Sequence, residues 1–387
     1  MNFFSQLRKK RYFQSIVHRY FVPSFLLILH FSFNLPVFAG NSYTSEVESD
    51  VHFKKQLPIY IQHDLGDVSI QGWNQDLIRV KLKKTVVTET EESSRNISEQ
   101  FGLVSLETPN SIELRVGTPQ GTDLLTKLRN RQKKKDIRVD LEIKAPLTLG
   151  LTVLLGAEKA IKLNQWKGDF KFTGKQNTLD LTKVRSSSPL NLSCPDCKIS
   201  IQDSEFSGSI LAGNQKIVLK KVKASPKAIM VFSQNGDIEI SDTEGNFQMR
   251  SQSGSLSSKK HKGDLHAQTE SGKVMIDDLD GELDAQSVSG ELQVASVRVG
   301  KLFEMKSKTG AIQIAIPSDY SGEVNLQTIQ GEVSSDFLIK TNDKNENAYG
   351  PEIKGRLIGA IGKKNDSAIT AFTENGSVTL KKKGQSK

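Results

Sequence analysis

Short runs of alternating aliphatic and polar residues fill the C-terminal two thirds of the chain, and glycines separate the runs. The glycines recur every nine residues at Gly236, Gly245, Gly254, Gly263, Gly272, Gly281 and Gly290, and continue at Gly300, Gly310, Gly322 and Gly331. Aliphatic residues stand two and four positions after many of them, as in Ile238 and Ile240, Val274 and Ile276, Leu292 and Val294, and Ile312 and Ile314. A period of two is typical of a β-strand with one buried face. No stretch after residue 140 has the spacing of an amphipathic helix, so the pattern predicts strands.

Pairs of these nine-residue units form a longer period of 18 residues. Alternate glycines follow Ser or Thr, as in Ser253-Gly254 and Ser271-Gly272, whereas others follow charged residues, as in Asp280-Gly281. A fixed period of this length is typical of solenoids, in which one coil stacks on the next. We therefore predict coils of roughly 18–20 residues with inward aliphatic side chains, glycine at the corners and stacked hydroxyl groups beside it.

The same pattern predicts the extent of the repeat domain. Looser repeats at residues 179–181, 199–201 and 217–219 extend it upstream, and residues 373–380 repeat it near the end. We place the repeat domain at residues 149–382. A polar break interrupts it at residues 342–351, and a polar tail follows at residues 383–387.

The region before the repeats has a different pattern. Alternating runs at residues 59–61, 68–70, 78–82 and 137–143 are joined by polar connectors that include a basic loop at residues 129–135. We interpret residues 40–148 as an antiparallel β cap that covers the first coil and blocks edge pairing. The predicted fold class is therefore all-β, a single-stranded parallel β-solenoid (β-helix) with an N-terminal antiparallel β cap region.

Residues 1–39 have the pattern of a secretory signal peptide. A basic segment precedes an apolar stretch, and Val37 and Ala39 place small residues before a cleavage site at Gly40. An uncleaved membrane anchor is the alternative, although Pro23 and His30 disfavour insertion. No later segment is apolar enough to span a membrane. The predicted location is outside the cytoplasm, in the periplasm, on the outer surface or secreted.

Charge argues against a nucleic-acid partner. The formal net charge is +9, but five basic residues and no acidic ones lie in the first 39 positions. The remaining 48 basic and 44 acidic residues give a net charge of +4, dispersed along the chain. Recognition of nucleic acid needs a basic stripe or a known motif. We predict no nucleic-acid partner.

Cys194-Pro195-Asp196-Cys197 is the only chemically suggestive tetrapeptide. A redox centre would need the first cysteine at a helix N-terminus, but strand-like residues flank this pair on both sides. In an exported protein, a structural disulfide between Cys194 and Cys197 is the favoured interpretation. Free thiols and a redox or metal site are the alternatives.

No catalytic motif is present, and we predict no catalytic, cofactor-binding or metal-binding residue. The densest acidic group is Asp264, Asp277, Asp278, Asp280 and Asp284, which could form a shallow acidic groove on a carbohydrate-active β-helix enzyme. Solvated charges on outward positions are the favoured interpretation. The basic clusters at residues 220–221, 259–262 and 381–383 could contact an anionic glycan or lipid headgroup, or be solvated faces.

The layout of the chain resembles the bacterial DUF4097 family of exported putative adhesins. The resemblance rests on residues 66–70 (Gly-Asp-Val-Ser-Ile) with Gly72-Trp73-Asn74 after them, on the strand Val80-Lys81-Leu82, on the strand and proline of residues 141–146, and on the Ser-Gly repeats. It implies a β-helix-like fold at the cell envelope and supplies no catalytic residues. We therefore expect a non-enzymatic adhesin or scaffold that binds an envelope or host-surface ligand such as an anionic glycan. The alternatives are a carbohydrate-active enzyme and a periplasmic envelope-stress accessory protein.

Overall fold

The computed structural model describes residues 41–53, 56–117, 136–340, 353–363 and 366–384. The predicted signal peptide, the basic loop at 129–135, the polar break at 342–351 and residues 385–387 of the tail lie outside these ranges. The N-terminal elements are β1 (Asn41–Val51), β2 (Ile59–His63), β3 (Val68–Trp73), β4 (Ile78–Thr88), α1 (Glu91–Glu99), β5 (Gly102–Glu107), β6 (Ile112–Gly117) and β7 (Asp136–Pro146). They are followed by β8 (Leu151–Leu155), β9 (Ala160–Asn164), β10 (Phe170–Thr173), β11 (Thr178–Thr182), β12 (Leu190–Cys194), β13 (Lys198–Ala212), β14 (Ile217–Ser233), β15 (Ile238–Glu244) and β16 (Phe247–Ser251). The remaining strands are β17 (Leu256–Lys262), β18 (Leu265–Thr269), β19 (Val274–Ser287), β20 (Leu292–Ser307), β21 (Ile312–Ile316), β22 (Gly322–Ser335), β23 (Ile353–Ile361), β24 (Ala368–Asn375) and β25 (Val378–Lys382).

Most strands pair in parallel with the strand one repeat away. One set of pairings, the first ladder, joins β2, β8, β10 and β12 and continues through β16, β18 and the C-terminal parts of β13, β14, β19 and β20. A second ladder joins β3, β9, β11, β15, β17 and β21 and the N-terminal parts of those same long strands. Val274 illustrates the register, because it lies between Leu256 and Leu292, each 18 residues away. The all-β fold class is confirmed.

The aliphatic residues identified by the repeat point into the core. Ile238, Val274, Leu292 and Ile312 are fully buried, and their partners two residues on are no more than 2% exposed. Burial of each such side chain contributes about 1.5–3 kcal/mol. The predicted inward and outward positions of these strands are confirmed.

The hydroxyl groups predicted at the corners also stack. The Ser251 Oγ accepts a hydrogen bond from the Gly254 backbone N–H at 2.9 Å, and one coil later the Thr269 Oγ1 accepts from the Gly272 N–H at 3.0 Å. The Thr269 hydroxyl donates to the Gly254 carbonyl at 3.3 Å, which links the two coils. These hydroxyl groups satisfy backbone donors that would otherwise be buried without a partner.

Close approach requires glycine in both series, and one series also has an unusual backbone conformation. A Cβ built on Gly272 would lie 2.0 Å from the Gly254 carbonyl oxygen, so close approach of neighbouring coils requires glycine there. In the alternate series, Gly263 has a φ of +126°, which side chains rarely adopt.

The N-terminal region is more mixed than the predicted antiparallel cap. β4 pairs antiparallel with both β1 and β7, as does β5 with β6. However, β2 and β3 pair in parallel with β8 and β9, so both ladders already begin before residue 149. Alternation of polar and apolar residues does not encode the direction of pairing, which is why the sequence did not distinguish these strands.

The region also contains α1, the single helix among the described residues, which the sequence analysis did not predict. Thr90 caps its N-terminus by accepting from the Ser93 N–H at 3.2 Å, and Glu91 and Glu92 occupy the first turn. Acidic residues there interact favourably with the helix dipole.

The C-terminal strands do not stack in chain order. In the first ladder β24 lies between β20 and β22, whereas β23 pairs antiparallel with the other side of β22. In the stack, β24 therefore comes before β22, although β22 precedes it in the sequence. Nothing in the regular sequence repeat predicts this order.

Among the described residues, none of the helical structure is long or apolar enough to be a membrane span.

Candidate functional site

Charged residues form six parallel rows at the corner between the two ladders. Each row has two outward side chains of the same sign, two positions apart, with a buried residue between them. The rows are Lys183 and Arg185, Asp203 and Glu205, Lys221 and Lys223, Asp242 and Glu244, Lys260 and Lys262, and Asp278 and Asp280. We call them the charge rows.

The backbone aligns the rows with one another. The second members are register partners in order, from Arg185 and Glu205 through Lys223, Glu244 and Lys262 to Asp280. The first members share a left-handed φ of 51–55°. The sign therefore alternates from each coil to the next.

Alternation places opposite charges beside each other at the spacing of neighbouring strands, about 4.8 Å. The Lys223 Nζ lies 3.8 Å from a carboxylate oxygen of Glu244. At the C-terminal end, Lys383 reaches Asp278 at 2.5 Å, and Arg298 pairs with Asp280. The hydrogen bond from Lys383 lowers the pKa of Asp278. Like charges directly opposite each other would be destabilising.

At the N-terminal end of the rows the alternation stops. Backbone hydrogen bonds from Arg185 N to Trp166 O at 2.7 Å and from Gln165 N to Thr182 O at 3.0 Å place Gln165 and Lys167 beside the first row. The pattern calls for two acidic residues at this level. The chain instead has a neutral side chain and a cation.

A groove of about 690 Å³ lies at this position. Four cations line it, Lys144, Lys167, Lys183 and Arg185, together with a single carboxylate, Asp203. None of the four cations forms an ion pair with any residue that the structure describes. The groove therefore presents a local excess of positive charge.

Neutral polar and aromatic groups complete the groove. The Trp73 indole N–H donates to the Leu77 carbonyl at 3.0 Å, which fixes the ring beside the cations. The Gln71 side chain donates to the Gln165 side chain at 2.6 Å and accepts from Asn164 at 2.7 Å. An aromatic ring with adjacent amide groups can contact the apolar faces and hydroxyl groups of a sugar.

Two cations in a neighbouring depression, Arg79 and Lys81, form ion pairs. The Arg79 guanidinium bonds Asp50 at 2.8 Å, and the Lys81 ammonium lies 2.8 Å from Glu46. These hydrogen bonds lower the pKa of both carboxylates. The four cations of the groove have no comparable pair among the described residues.

No sequence motif predicts this groove. Trp73 and Asn74 belong to the residues that carry the family resemblance, and no motif distinguishes Lys167, Lys183 and Arg185. Alignment of the chain in coils of about 18–20 residues would have shown the alternating signs and where they fail.

The acidic group predicted as an alternative catalytic site is not brought into one groove. Asp278 and Asp280 belong to the last charge row and pair with Lys383 and Arg298. Asp284 lies on the first ladder, where a carboxylate oxygen is 2.8 Å from the His266 Nδ1. The basic clusters at residues 220–221 and 259–262 contribute to the charge rows, and Lys383 of the predicted tail is held by Asp278.

Cys194 and Cys197 are both buried and form a disulfide, with their Cα atoms 5.5 Å apart. The bond closes the turn between β12 and β13. The described residues contain no group of three or more metal-ligating side chains. His63 and His261 are buried far apart in the sequence, and burial lowers the pKa of each.

Comparison with known proteins assigns the chain to a family. The family model described as Toastrack DUF4097 matches residues 167–381, which is more than half of the chain and includes most of the charged wall of the groove. No curated protein matches the chain.

Several solved structures are similar to this chain at low identity, and three of them cover 88% of it. They are a putative cell adhesion protein from Clostridium sporogenes ATCC 15579 (10% identity, all of that chain covered, TM-score 0.23), and a putative lipid binding protein and a putative adhesin from Parabacteroides distasonis ATCC 8503 (9% and 8% identity, 98% of each chain covered, TM-scores 0.27 and 0.24). At these TM-scores the likeness carries no functional inference.

Proposed function

Because this chain belongs to the Toastrack DUF4097 family, we propose that it is an exported, non-enzymatic β-solenoid of the cell envelope that acts as an adhesin or scaffold. Its ligand is a glycan of the envelope or of a host surface, bound in the groove beside Trp73. The N-terminal residues 1–39 serve as the export signal.

The solenoid interpretation is supported by two parallel ladders whose partners lie about one repeat apart, such as Leu256 and Val274. The long strands β13, β14 and β19 each run from the second ladder through a charge row into the first ladder. The inserted β24 and the antiparallel β23 elaborate this plan at one end.

The observation that carries the binding proposal is the groove itself. It combines unpaired cations with a half-buried aromatic ring and amide groups, and the strand β3 that carries Gln71 and Trp73 is held by backbone hydrogen bonds on both sides. Rigid positioning of a few polar groups around an aromatic surface is typical of ligand sites. A site of this kind needs no catalytic residue.

Absence of enzymatic activity is supported by the distribution of the acidic residues. Hydrolysis of a glycoside normally uses two carboxyl groups that flank one bond. Asp278 and Asp280 are instead neutralised by neighbouring cations, and Asp284 lies on another face.

Glycan-array binding of the purified exported protein tests the proposal. We expect binding that the substitution Trp73→Ala weakens and that Phe232→Ala leaves unchanged, because Phe232 is exposed on the first ladder away from the groove. Circular dichroism of both variants checks their folding. Equal binding by the Trp73 variant, or release of sugar products by the wild-type protein, would contradict the proposal.

Cell fractionation tests the location. We expect the protein outside the cytoplasm with Gly40 as its first residue. Recovery in the cytoplasm with Met1 retained would refute export.

A further inference from the structure

We infer that the groove binds an anionic polysaccharide whose negative groups lie beside the cations of the first charge row, at the level where the acidic row is missing. This inference rests on the proposed glycan-binding function and names the chemical class of the ligand. It follows from the register of the charge rows rather than from the net charge of the protein.

The level of the missing row is fixed by the backbone. Trp166 lies beside Val184, and both are buried between two outward positions, as Ser204 and Thr243 are in the acidic rows. Gln165 and Lys167 therefore occupy the places that Asp242 and Glu244 occupy in an acidic row.

The backbone at this level would accept an acidic row. Gln165 has a φ of 55°, the same left-handed conformation as Asp203, Asp242 and Asp278 at the corresponding positions. Aspartate tolerates this conformation better than most residues. Local geometry thus does not explain why negative charge is missing here.

Because the acidic row is missing, Lys183 and Arg185 lack acidic neighbours on one side. Each cationic row further along has an acidic row on both sides, but this row has one only on the side of Asp203 and Glu205. Its other side opens into the groove, with Lys167 and Lys144 nearby. An anionic ligand there restores the alternation that the rest of the face maintains.

The first charge row presents two cations, Lys183 and Arg185, to the groove. A chain of uronate residues, or a glycan bearing phosphate or sulfate, presents successive charges that two such cations can bind. Arginine adds a planar donor pair that matches carboxylate or phosphate oxygens.

A glycan fits better than an anionic membrane surface. Trp73, Gln71 and Asn74 lie beside the cations and offer an aromatic face and amide groups that a sugar ring uses. A lipid headgroup would require only the positive charges.

The experiment introduces acidic residues at the level of the missing row and compares the effect with that of an acidic substitution in another charge row. Lys167→Glu, alone and with Gln165→Asp, places acid beside Lys183 and Arg185. The matched control is Lys262→Glu, which places acid between Glu244 and Asp280. Binding to polygalacturonate, to neutral amylose and to phosphatidylglycerol vesicles is measured with thermal unfolding of each variant.

We expect Lys167→Glu to weaken polygalacturonate binding by about tenfold or more, because it removes one charge-assisted contact and adds repulsion. The same substitution should raise the melting temperature by about 1–3 °C, since it completes the alternation with exposed pairs. Lys262→Glu should lower the melting temperature and leave binding unchanged. Loss of binding in a more stable protein cannot be attributed to misfolding.

The outcomes separate the inference from the function on which it rests. Binding to amylose that Lys167→Glu does not affect would overturn the anionic ligand but keep glycan binding. Binding to vesicles alone, or to no probe, would overturn both. Equal weakening of polygalacturonate binding by Lys167→Glu and Lys262→Glu would show attraction by overall charge and refute the missing row.

Discussion

Replacement of Gly272 by alanine tests the close stacking of the coils. A Cβ at this position would lie 2.0 Å from the Gly254 carbonyl oxygen, and real Cβ atoms essentially never approach closer than 3.0 Å. The two coils must separate locally by at least 1.0 Å. Because the φ of Gly272 lies outside the left-handed region, this clash is the whole reason for glycine here.

The separation has a predictable energetic consequence. Two backbone hydrogen bonds cross between the same coils, from Glu270 N and Ser271 N to Gln252 O, at 3.2 and 3.1 Å. An increase of 1.0 Å breaks both. At about 0.5–1.5 kcal/mol for each bond, the loss is about 1–3 kcal/mol.

Urea denaturation followed by circular dichroism measures this loss as a lower midpoint at constant slope. Gly102→Ala is the matched control, because a Cβ there meets nothing within 4 Å and φ is not left-handed. It should be neutral or slightly stabilising, since alanine restricts the unfolded chain. A change within about 0.5 kcal/mol for Gly272→Ala would refute close stacking as the reason for the glycine series.

Three further outcomes follow from buried groups. Val274→Asp should unfold or aggregate the protein because it buries an unpaired charge, whereas Met275→Asp on the exposed face of the same strand should be tolerated; similar expression and melting of both variants would contradict the assigned faces. The free energy of unfolding should fall as pH drops below about 6.5, by up to about 1.4 kcal/mol per pH unit for each buried histidine. The reason is that burial lowers the pKa of His261 and His63 in the folded protein, so the unfolded chain takes up the proton first. Urea midpoints from pH 5 to 8 measure this decline, which His261→Asn should make shallower, and an unchanged slope would exclude His261 as a source. Alkylation of the native protein without reductant should label neither Cys194 nor Cys197, and labelling of both by mass spectrometry would show free thiols.

The repeated core could be predicted from the sequence because its information is local. Ile238 and Ile240 reveal a buried face within one strand, and the 18-residue spacing places the next strand beside it. The direction of pairing in β2 and β3 is not local, since a short alternating run fits either a parallel or an antiparallel neighbour. The insertion of β24 between β20 and β22 depends on pairings between residues 66 and 45 positions apart, which do not follow the repeat period.

The helix and the groove were missed for different reasons. α1 has only Ile97 as a buried apolar residue, so it lacks an apolar stripe, although Thr90 with two following glutamates is a helix-start signal. The groove gathers Trp73, Lys144 and Lys183 from distant parts of the chain. Its information lies in the order of charge signs between coils, which single motifs do not contain.

The alternating charge rows also limit how such an array can grow. Duplication of one coil would place two rows of the same sign side by side at one junction, whereas duplication of two coils preserves every neighbour. The smallest insertion that keeps neighbouring rows opposite in charge is therefore two coils, about 36 residues for the regular 18-residue period. Natural or engineered lengthening of this protein should proceed in even steps.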